Sequence, residues 1–179
     1  TVAEVYSQID RDLDQAIDLF PGYTRANKSH FNINIAKGIK ARVALTKQDY
    51  ATAATLAKEA RTGFTLMSNE DYLGGFNDYT NSEWMWGSKV VDDQTNYFYS
   101  FFSHMALNFS SSLIRATPKV INSALYDQIS ETDIRKQLWD PTGANTVDFP
   151  LPASTFSRHK YHSRKFRVAN ESSSIGDVP

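Results

Sequence analysis

The fold of this 179-residue chain is decided by one stretch, SHFNINIAKGIKARVALTKQDYATAATLAKEARTG, which covers residues 29–63. Apolar residues recur in it at the three- and four-residue spacing of amphipathic helices. They are Ile35, Ala36, Ile39, Val43 and Ala44, followed by Tyr50, Ala53, Ala54, Ala57 and Ala60. Residues 47–49 interrupt the pattern, and Gly63 is a typical helix stop. The pattern predicts two antiparallel helices, beginning near Ser29 and at Tyr50, joined by a very short turn.

Small residues line both predicted helices, which would let the two backbones approach closely. They are Ala41, Ala44, Ala53, Ala54 and Ala57. Such a hairpin resembles a tetratricopeptide-type (TPR) unit, in which pairs of helices stack into a solenoid. The stretch DYATAA, residues 49–54, resembles the start of that unit's second helix. A regular period of about 34 residues does not recur, so we predict a TPR-like hairpin rather than an array.

A further helix is predicted before this hairpin, over residues 1–20. Thr1 and Glu4 match a capping box, in which each side chain satisfies a backbone N–H of the first turn. An apolar stripe follows, with acidic residues on the other face. The stripe consists of Val5, Ile9, Leu13, Ala16, Ile17 and Phe20, and the acids are Asp10, Asp12, Asp14 and Asp18. Pro21-Gly22 ends the helix.

The pattern changes after Gly63. Residues 64–66 are strand-like, residues 71–82 read as a polar loop, and Trp84-Met85-Trp86 suits a brief strand. From residue 94 to residue 114 the sequence contains no Asp, Glu, Lys or Arg, and aromatic residues are dense. We therefore assign residues 64–116 to short strands and an aromatic loop.

The last third of the chain combines short helices with loops. Thr117-Pro118 predicts a helix start, with Pro118 in the first helical position, and residues 132–139 predict another short helix. We assign 117–139 to helices, and 140–179 to loops, a short strand within 158–168 and a mobile polar tail. With the TPR-like helices of residues 1–63, these segments are expected to form one mainly α domain with a small irregular β portion and long loops.

Composition excludes several classes of protein. The 19 Lys and Arg residues balance 20 Asp and Glu residues, which argues against a generic nucleic-acid-binding protein. The absence of cysteine excludes disulfides, thiolate zinc sites, iron–sulfur clusters and cysteine nucleophiles. The sequence contains no run of about 20 apolar residues, which is the length that a membrane-spanning helix needs. We expect the chain to be a piece of a longer protein.

Several short motifs follow one another along the chain. They are Ala16-Ile17 before Pro21, Ala41-Arg42 with Leu45, Asp49-Tyr50 with Ala53-Ala54, Gly63-Phe64-Thr65-Leu66, Glu83-Trp84-Met85-Trp86, Asp133-Ile134-Arg135, Lys165-Phe166 and Gly176-Asp177-Val178-Pro179. Their order resembles that of the SusD/RagB family of Bacteroidetes surface lipoproteins. The resemblance covers nearly the whole chain and implies that it is the middle portion of a longer protein. Gly38 departs from it, because the family prefers Ala or Leu at that place.

The resemblance implies a SusD-like α/α superhelix and a non-enzymatic protein that binds oligosaccharide or polysaccharide. It implies a lipid-anchored position on the extracellular face of the outer membrane, with a SusC-like TonB-dependent transporter as the partner that receives the glycan. It implies no catalytic residue and no cofactor. Ligand residues vary within the family, so none is carried over to this sequence.

Sugar rings stack on aromatic side chains, and their hydroxyls need polar partners nearby. Residues 96–109 supply both, so the predicted ligand residues are Asn96, Tyr97, Tyr99 and His104. Weaker candidates of the same chemistry are Asn77, Asp78, Tyr79 and Trp86. The alternative is that the phenylalanines of this segment are buried. Trp84 and Trp86 would share one side of a strand and could form a stacking shelf. The resemblance instead implies a structural strand, so core packing is the favoured interpretation of this pair.

Other kinds of site have weaker support in the sequence. Asp92 and Asp93 are adjacent, and nothing marks them as the carboxylate pair of a glycosidase. His159 and His162 lie in a strand-like pattern, where their side chains would point apart, so no metal site is predicted. Loop calcium is not excluded. The rival prediction is a TPR-like protein-interaction module without a glycan role, and an enzyme fragment is a third.

Overall fold

The structure, a computed structural model, describes residues 1–91, 93, 100–106, 108–109, 111–144, 159–169 and 176–178. The chain divides into two compact units. The first unit contains residues 1–66 and 82–87, and the second contains residues 67–81 and 88–178. The mobile tail predicted for residues 170–179 lies largely outside the described residues.

The first unit begins with α1, Val2–Leu19, which has the predicted capping box. The Thr1 hydroxyl accepts from the Glu4 N–H, and the N-terminal amine donates to Glu4 Oε2 at 2.5 Å. The acidic face of α1 meets lysines of the next helix, since Lys47 Nζ lies 2.6 Å from Asp10 Oδ2. Lys40 pairs with Asp14 in the same way.

Among the described residues, none of the helices combines the length and the apolar composition that a membrane-spanning segment requires.

The predicted hairpin is formed by α2, Ile33–Thr46, and α3, Tyr50–Ala60. Helix α2 begins four residues later than predicted, because the Asn32 side chain caps it by accepting from the Ile35 N–H at 3.1 Å. Asp49 caps α3 through the Thr52 N–H. The buried residues of the hairpin are Ile35, Ala36, Ala41, Ala44, Ala53 and Ala60. The tight, alanine-rich contact between the helices is therefore confirmed, whereas Ala54 and Ala57 are exposed.

Replacing Gly38 by alanine is expected to raise the free energy of unfolding by about 0.5–1 kcal/mol. Gly38 lies inside α2, and an added Cβ would lie 3.6 Å from Met85 Cε and 3.8 Å from Ala60 Cβ, which are ordinary contacts. Urea unfolding of both proteins measures the difference. Gly63→Ala is the matched control, because Gly63 has a φ of +86° and its replacement should destabilise instead. A Gly38→Ala protein that is less stable than the parent would contradict the packing described.

The segment 82–87 completes the first unit. It contains no β-strand, so the brief strand predicted at Trp84-Met85-Trp86 is wrong. Trp84 is 6% exposed and Trp86 is 45% exposed. The two indoles therefore have different environments and do not form a common shelf.

The described part of the second unit contains four short α-helices: α4, Asn69–Leu73; α5, Phe101–Met105; α6, Ser112–Ala116; and α7, Ser123–Gln128. A polar side chain caps each of them, namely Ser68, Ser100, Ser111 and Asn122. Helices α4, α5 and α6 were not predicted. The helix predicted to start at Pro118 begins only at Ser123, because Val120 forms a β-bridge with His162 instead.

A two-stranded sheet follows the short 3-10 helix Ile134–Leu138, which confirms the helix predicted over residues 132–139. Strand β1, Trp139–Asp140, pairs antiparallel with β2, His162–Ser163. The strand expected within residues 158–168 is thus only two residues long. The basic residues after it turn inward. Lys165 Nζ lies 4.5 Å from the centre of the Phe76 ring, and Arg167 Nη2 donates to the Leu73 carbonyl oxygen at 2.6 Å.

The core of the second unit is a cluster of Phe102, Ala106, Phe109 and Val168, with Phe166 and Val178 packed against it. Part of the aromatic segment is therefore buried, as the alternative interpretation expected. Gly176 lies directly against this cluster, since a Cβ there would lie 2.5 Å from Phe102 Cζ. Only glycine fits at position 176 without moving the ring.

A buried histidine lies in the small sheet of the second unit. His162 is 2% exposed, and neither of its ring nitrogens has a hydrogen-bond partner among the described residues. The pKa of His162 is lowered to about 4, chiefly by burial and to a smaller extent by the neighbouring His159 and Arg164, while Asp140 opposes them. The folded protein therefore holds this imidazole neutral at pH values where an unfolded chain would protonate it.

The stability of the second unit is expected to be highest above about pH 6.5 and to fall as the pH drops towards 4. In that window the unfolded chain takes up a proton that the folded chain excludes. Urea unfolding between pH 7.5 and 5 measures the slope, before most carboxylates titrate. His162→Gln should remove most of the slope, and the exposed His30→Gln should keep it. An unchanged slope in His162→Gln would contradict the assignment.

Candidate functional site

Two half-exposed aromatic rings of the first unit lie side by side. The centres of the Phe31 and Trp86 rings are 5.1 Å apart and their planes are inclined by only 32°. Phe31 is 47% exposed and Trp86 is 45% exposed. We call this pair the Phe31–Trp86 platform. Of the aromatic pairs in the described part of the chain, this one has the least inclined planes, since the others are inclined by 45° to 89°.

Local hydrogen bonds fix the Trp86 ring of the platform. The Trp86 indole N–H donates to the Ser29 carbonyl oxygen at 3.1 Å. Asn27 in turn holds Ser29, because its Oδ1 accepts from the Ser29 N–H at 2.9 Å and from the Ser29 hydroxyl at 2.6 Å. The Gly87 N–H donates to the Lys28 carbonyl oxygen at 3.2 Å. The turn at residues 27–29 therefore positions the indole before any ligand arrives.

Arg25 joins the two segments that carry the rings. Its Nη1 donates to the Met85 carbonyl oxygen at 2.7 Å and to the His30 carbonyl oxygen at 3.4 Å. Met85 precedes Trp86, and His30 precedes Phe31. Partial burial lowers the pKa of Arg25, an effect that the nearby Tyr23 opposes, but a guanidinium stays charged at any physiological pH.

The platform can bind the apolar face of a planar or ring-shaped ligand. Exposed aromatic rings are favourable contact surfaces for such ligands, because they give up little conformational freedom on binding. Its polar surroundings include the guanidinium of Arg25 and the exposed His30. The described residues contain no group of three or more His, Cys, Asp or Glu side chains able to hold a metal ion.

The predicted ligand residues lie in different parts of the chain, and some of them are not described by the structure. Asn96, Tyr97 and Tyr99 lie outside the described residues. His104 is on α5 of the second unit and is partly buried. Trp86 is a member of the platform in the first unit. Sequence reasoning missed Phe31. The signal that could have identified it is its position outside every predicted apolar stripe, because an aromatic residue outside a stripe can have a role on the surface.

Asn77, Asp78 and Tyr79 lie in a loop of the second unit that is fixed by backbone hydrogen bonds. Asn77 Nδ2 donates to the Arg167 carbonyl oxygen at 2.8 Å, and Asp78 Oδ1 accepts from the Thr80 N–H at 2.7 Å. The Tyr79 N–H donates to Asp177, whose other carboxylate oxygen accepts from the Val90 N–H at 2.9 Å. These contacts give the loop a defined shape, and they engage one polar atom of each side chain, Nδ2 of Asn77 and Oδ1 of Asp78.

A second surface of the first unit is an open apolar groove on the α2–α3 hairpin, of about 470 Å³. The residues lining it are Gly38, Ala41, Arg42, Leu45, Tyr50, Ala53, Ala54, Ala57, Ala60 and Met85. Leu45 is 56% exposed and Tyr50 is 64% exposed. This is the surface on which the TPR-like interaction hypothesis depends, because the exposed half of the predicted helix stripes lies here.

Comparison with known proteins gives a match at the level of structure. No protein-family model matches the sequence, and no curated protein sequence matches it. The structure is similar to the 1.70 Å crystal structure of a SusD-like carbohydrate binding protein from Bacteroides vulgatus ATCC 8482, with a TM-score of 0.75 and 24% sequence identity. The match covers 99% of this chain and 36% of that protein.

The chain therefore has a SusD-like, mainly helical fold, which confirms the fold predicted from the order of its motifs. It spans about a third of the length of the protein that it matches. At this level of identity the similarity establishes the fold alone.

Proposed function

We propose that this chain belongs to a non-catalytic glycan-binding protein and that the Phe31–Trp86 platform contributes to the binding surface. The observation that carries the proposal is the platform itself: two half-exposed rings, 5.1 Å apart and inclined by 32°, with the indole fixed by Ser29. A sugar ring presents a face of C–H groups that fits such a surface, while its hydroxyls bind neighbouring polar groups.

The similarity in fold gives the proposal its context. The structure that resembles this chain is described as a carbohydrate binding protein. By analogy, the whole protein would bind oligosaccharide or polysaccharide on the extracellular face of the outer membrane, held there by a lipid anchor. It would pass the glycan to a SusC-like TonB-dependent transporter. These last steps rest on the resemblance alone and are part of the proposal.

Replacing Trp86 by alanine is expected to weaken glycan binding by about 30-fold, the effect of removing an aromatic anchor worth about 2 kcal/mol. The measurement is a glycan array followed by calorimetric titration of the strongest oligosaccharide. Trp86→Phe keeps an aromatic ring, although a smaller one without the hydrogen bond to Ser29, so it should retain more of the affinity than Trp86→Ala does. Phe31→Ala should weaken binding as well, because it removes the other half of the platform.

The matched control is Tyr50→Ala, which removes an exposed aromatic ring of the same unit from the groove instead of the platform. It should bind glycan like the parent. Thermal unfolding of each variant shows that the fold is intact. Normal affinity in a folded Trp86→Ala protein would show that the platform does not contribute to glycan binding. The absence of any glycan ligand for the parent would contradict the proposed function and leave the interaction-module hypothesis ahead.

A further inference from the structure

We infer that the ligand of the platform is an acidic glycan, with a uronic-acid carboxylate received by Arg25. This inference rests on the proposed function and adds the chemical class of the sugar. It starts from the position of one cation. The Arg25 guanidinium lies between the backbone of Met85 and that of His30, each of which is one residue from a ring of the platform.

The hydrogen bonds of Arg25 leave most of its donors unused. Both of its bonds come from Nη1 and end on backbone carbonyl oxygens. A guanidinium has five N–H donors in a fixed planar fork, which matches the two oxygens of a carboxylate. Among the described residues no carboxylate forms an ion pair with Arg25. The Nε and Nη2 donors are therefore available to an acceptor from outside the chain.

The sequence around the platform is basic. No Asp or Glu occurs between Asp18 and Asp49, while Arg25 and Lys28 fall in the part of this interval that leads to Phe31. The segment 82–87 contributes one acid, Glu83, which has a contact of its own. Because the Arg25 guanidinium has no carboxylate counter-charge among the described residues, it favours a ligand that brings one. An anionic sugar that stacks on the platform would supply that charge, whereas a neutral sugar would leave it uncompensated.

The test compares acidic oligosaccharides with their own neutral forms. The probes are oligogalacturonate, oligomannuronate and hyaluronan oligosaccharides, each before and after chemical reduction of the carboxyl groups, together with neutral oligosaccharides. Reduction keeps the ring faces and removes the charge. We expect at least one acidic probe to bind and its reduced form to bind at least about tenfold more weakly, the usual effect of losing a charged hydrogen bond. Binding of the acidic form should also weaken with added salt.

The Arg25→Gln variant separates recognition from structural support, because Arg25 also ties the two ring-bearing segments together. We expect it to lower the affinity for the acidic probe to that of the reduced probe and to leave the affinity for the reduced probe unchanged. Equal weakening of both would assign Arg25 a structural role and overturn the inference.

The outcomes distinguish this inference from the proposed function. Binding of neutral oligosaccharides alone, or equal binding of acidic and reduced probes, overturns the acidic class and leaves glycan binding in place. Failure of every probe, acidic, reduced or neutral, contradicts both. If Trp86→Ala does not weaken binding of the acidic probe, the acidic glycan does not bind at the platform.

Discussion

Replacing Phe102 by alanine is expected to lower the free energy of unfolding of the second unit by about 3–5 kcal/mol. The Phe102 side chain is 2% exposed and lies in the cluster with Ala106, Phe109 and Val168. Gly176 packs against the Phe102 ring so closely that no other residue fits. Truncation removes this buried area and leaves a cavity in a unit whose helices are only five or six residues long. Urea unfolding followed by circular dichroism measures the loss.

The neighbouring Phe101→Ala is the matched control for this result. Phe101 is 37% exposed and contacts Phe102 and Phe166 edge-to-face, with ring centres 5.3 and 4.9 Å apart. Its loss should cost less than about 1.5 kcal/mol, the usual value of such a pair. Equal effects of the two substitutions would show that the core of this unit is not centred on Phe102.

Replacing Asn108 by alanine is expected to cost the second unit about 2–4 kcal/mol, because two buried backbone groups would lose their partners. Asn108 is 6% exposed and Val168 is 4% exposed. Asn108 Nδ2 donates to the Val168 carbonyl oxygen at 3.0 Å, and the Val168 N–H donates to Asn108 Oδ1 at 2.8 Å. The side-chain amide of Asn108 thus forms the two hydrogen bonds with the Val168 backbone that a residue of a neighbouring β-strand would form.

Thermal unfolding measures the effect of Asn108→Ala on stability, and hydrogen exchange at the Val168 amide reports on the lost bond directly. Asn34→Ala is a matched control, since its amide also donates to two backbone carbonyl oxygens but is only partly buried. The control should lose less stability than Asn108→Ala. An unprotected Val168 amide in the parent protein would rule out the paired geometry.

The first unit was predicted well because its elements are long and repeat regularly. Helix α1 has 18 residues, a clear apolar stripe and a capping box. The spacing of the apolar residues and the capping residues therefore predict the same helix. The start of α2 was placed too early at Ser29, since Ser29 serves the turn held by Asn27 and the cap is Asn32. Helix boundaries depend on which of several polar residues makes the capping bond, and composition does not decide that.

The second unit was predicted less well because tertiary contacts determine its elements. Helices α4, α5 and α6 have five residues each, which is too short for periodicity to be visible. The predicted helix start at Pro118 failed because Val120 bridges to His162, more than forty residues later in the sequence. Such pairings between distant segments leave no local pattern.

The candidate site illustrates the same limit. Trp86 was a candidate because of its chemistry, yet Phe31 was not, because its contact with Trp86 joins segments that are far apart in the chain. The expectation that Trp84 and Trp86 share a side depended on a strand that did not form. Asn96, Tyr97 and Tyr99 stay predictions, since they lie outside the described residues.

The most direct test of the account uses the indole N–H signals of the three tryptophans in a nitrogen–proton NMR spectrum. Trp→Phe variants assign the signals of Trp84, Trp86 and Trp139, and the strongest oligosaccharide from the array is then titrated into the parent protein. We predict that the Trp86 signal shifts with the affinity measured by calorimetry, while the buried Trp84 and the second unit's Trp139 do not move. Saturable glycan binding that leaves the Trp86 signal in place would contradict the account.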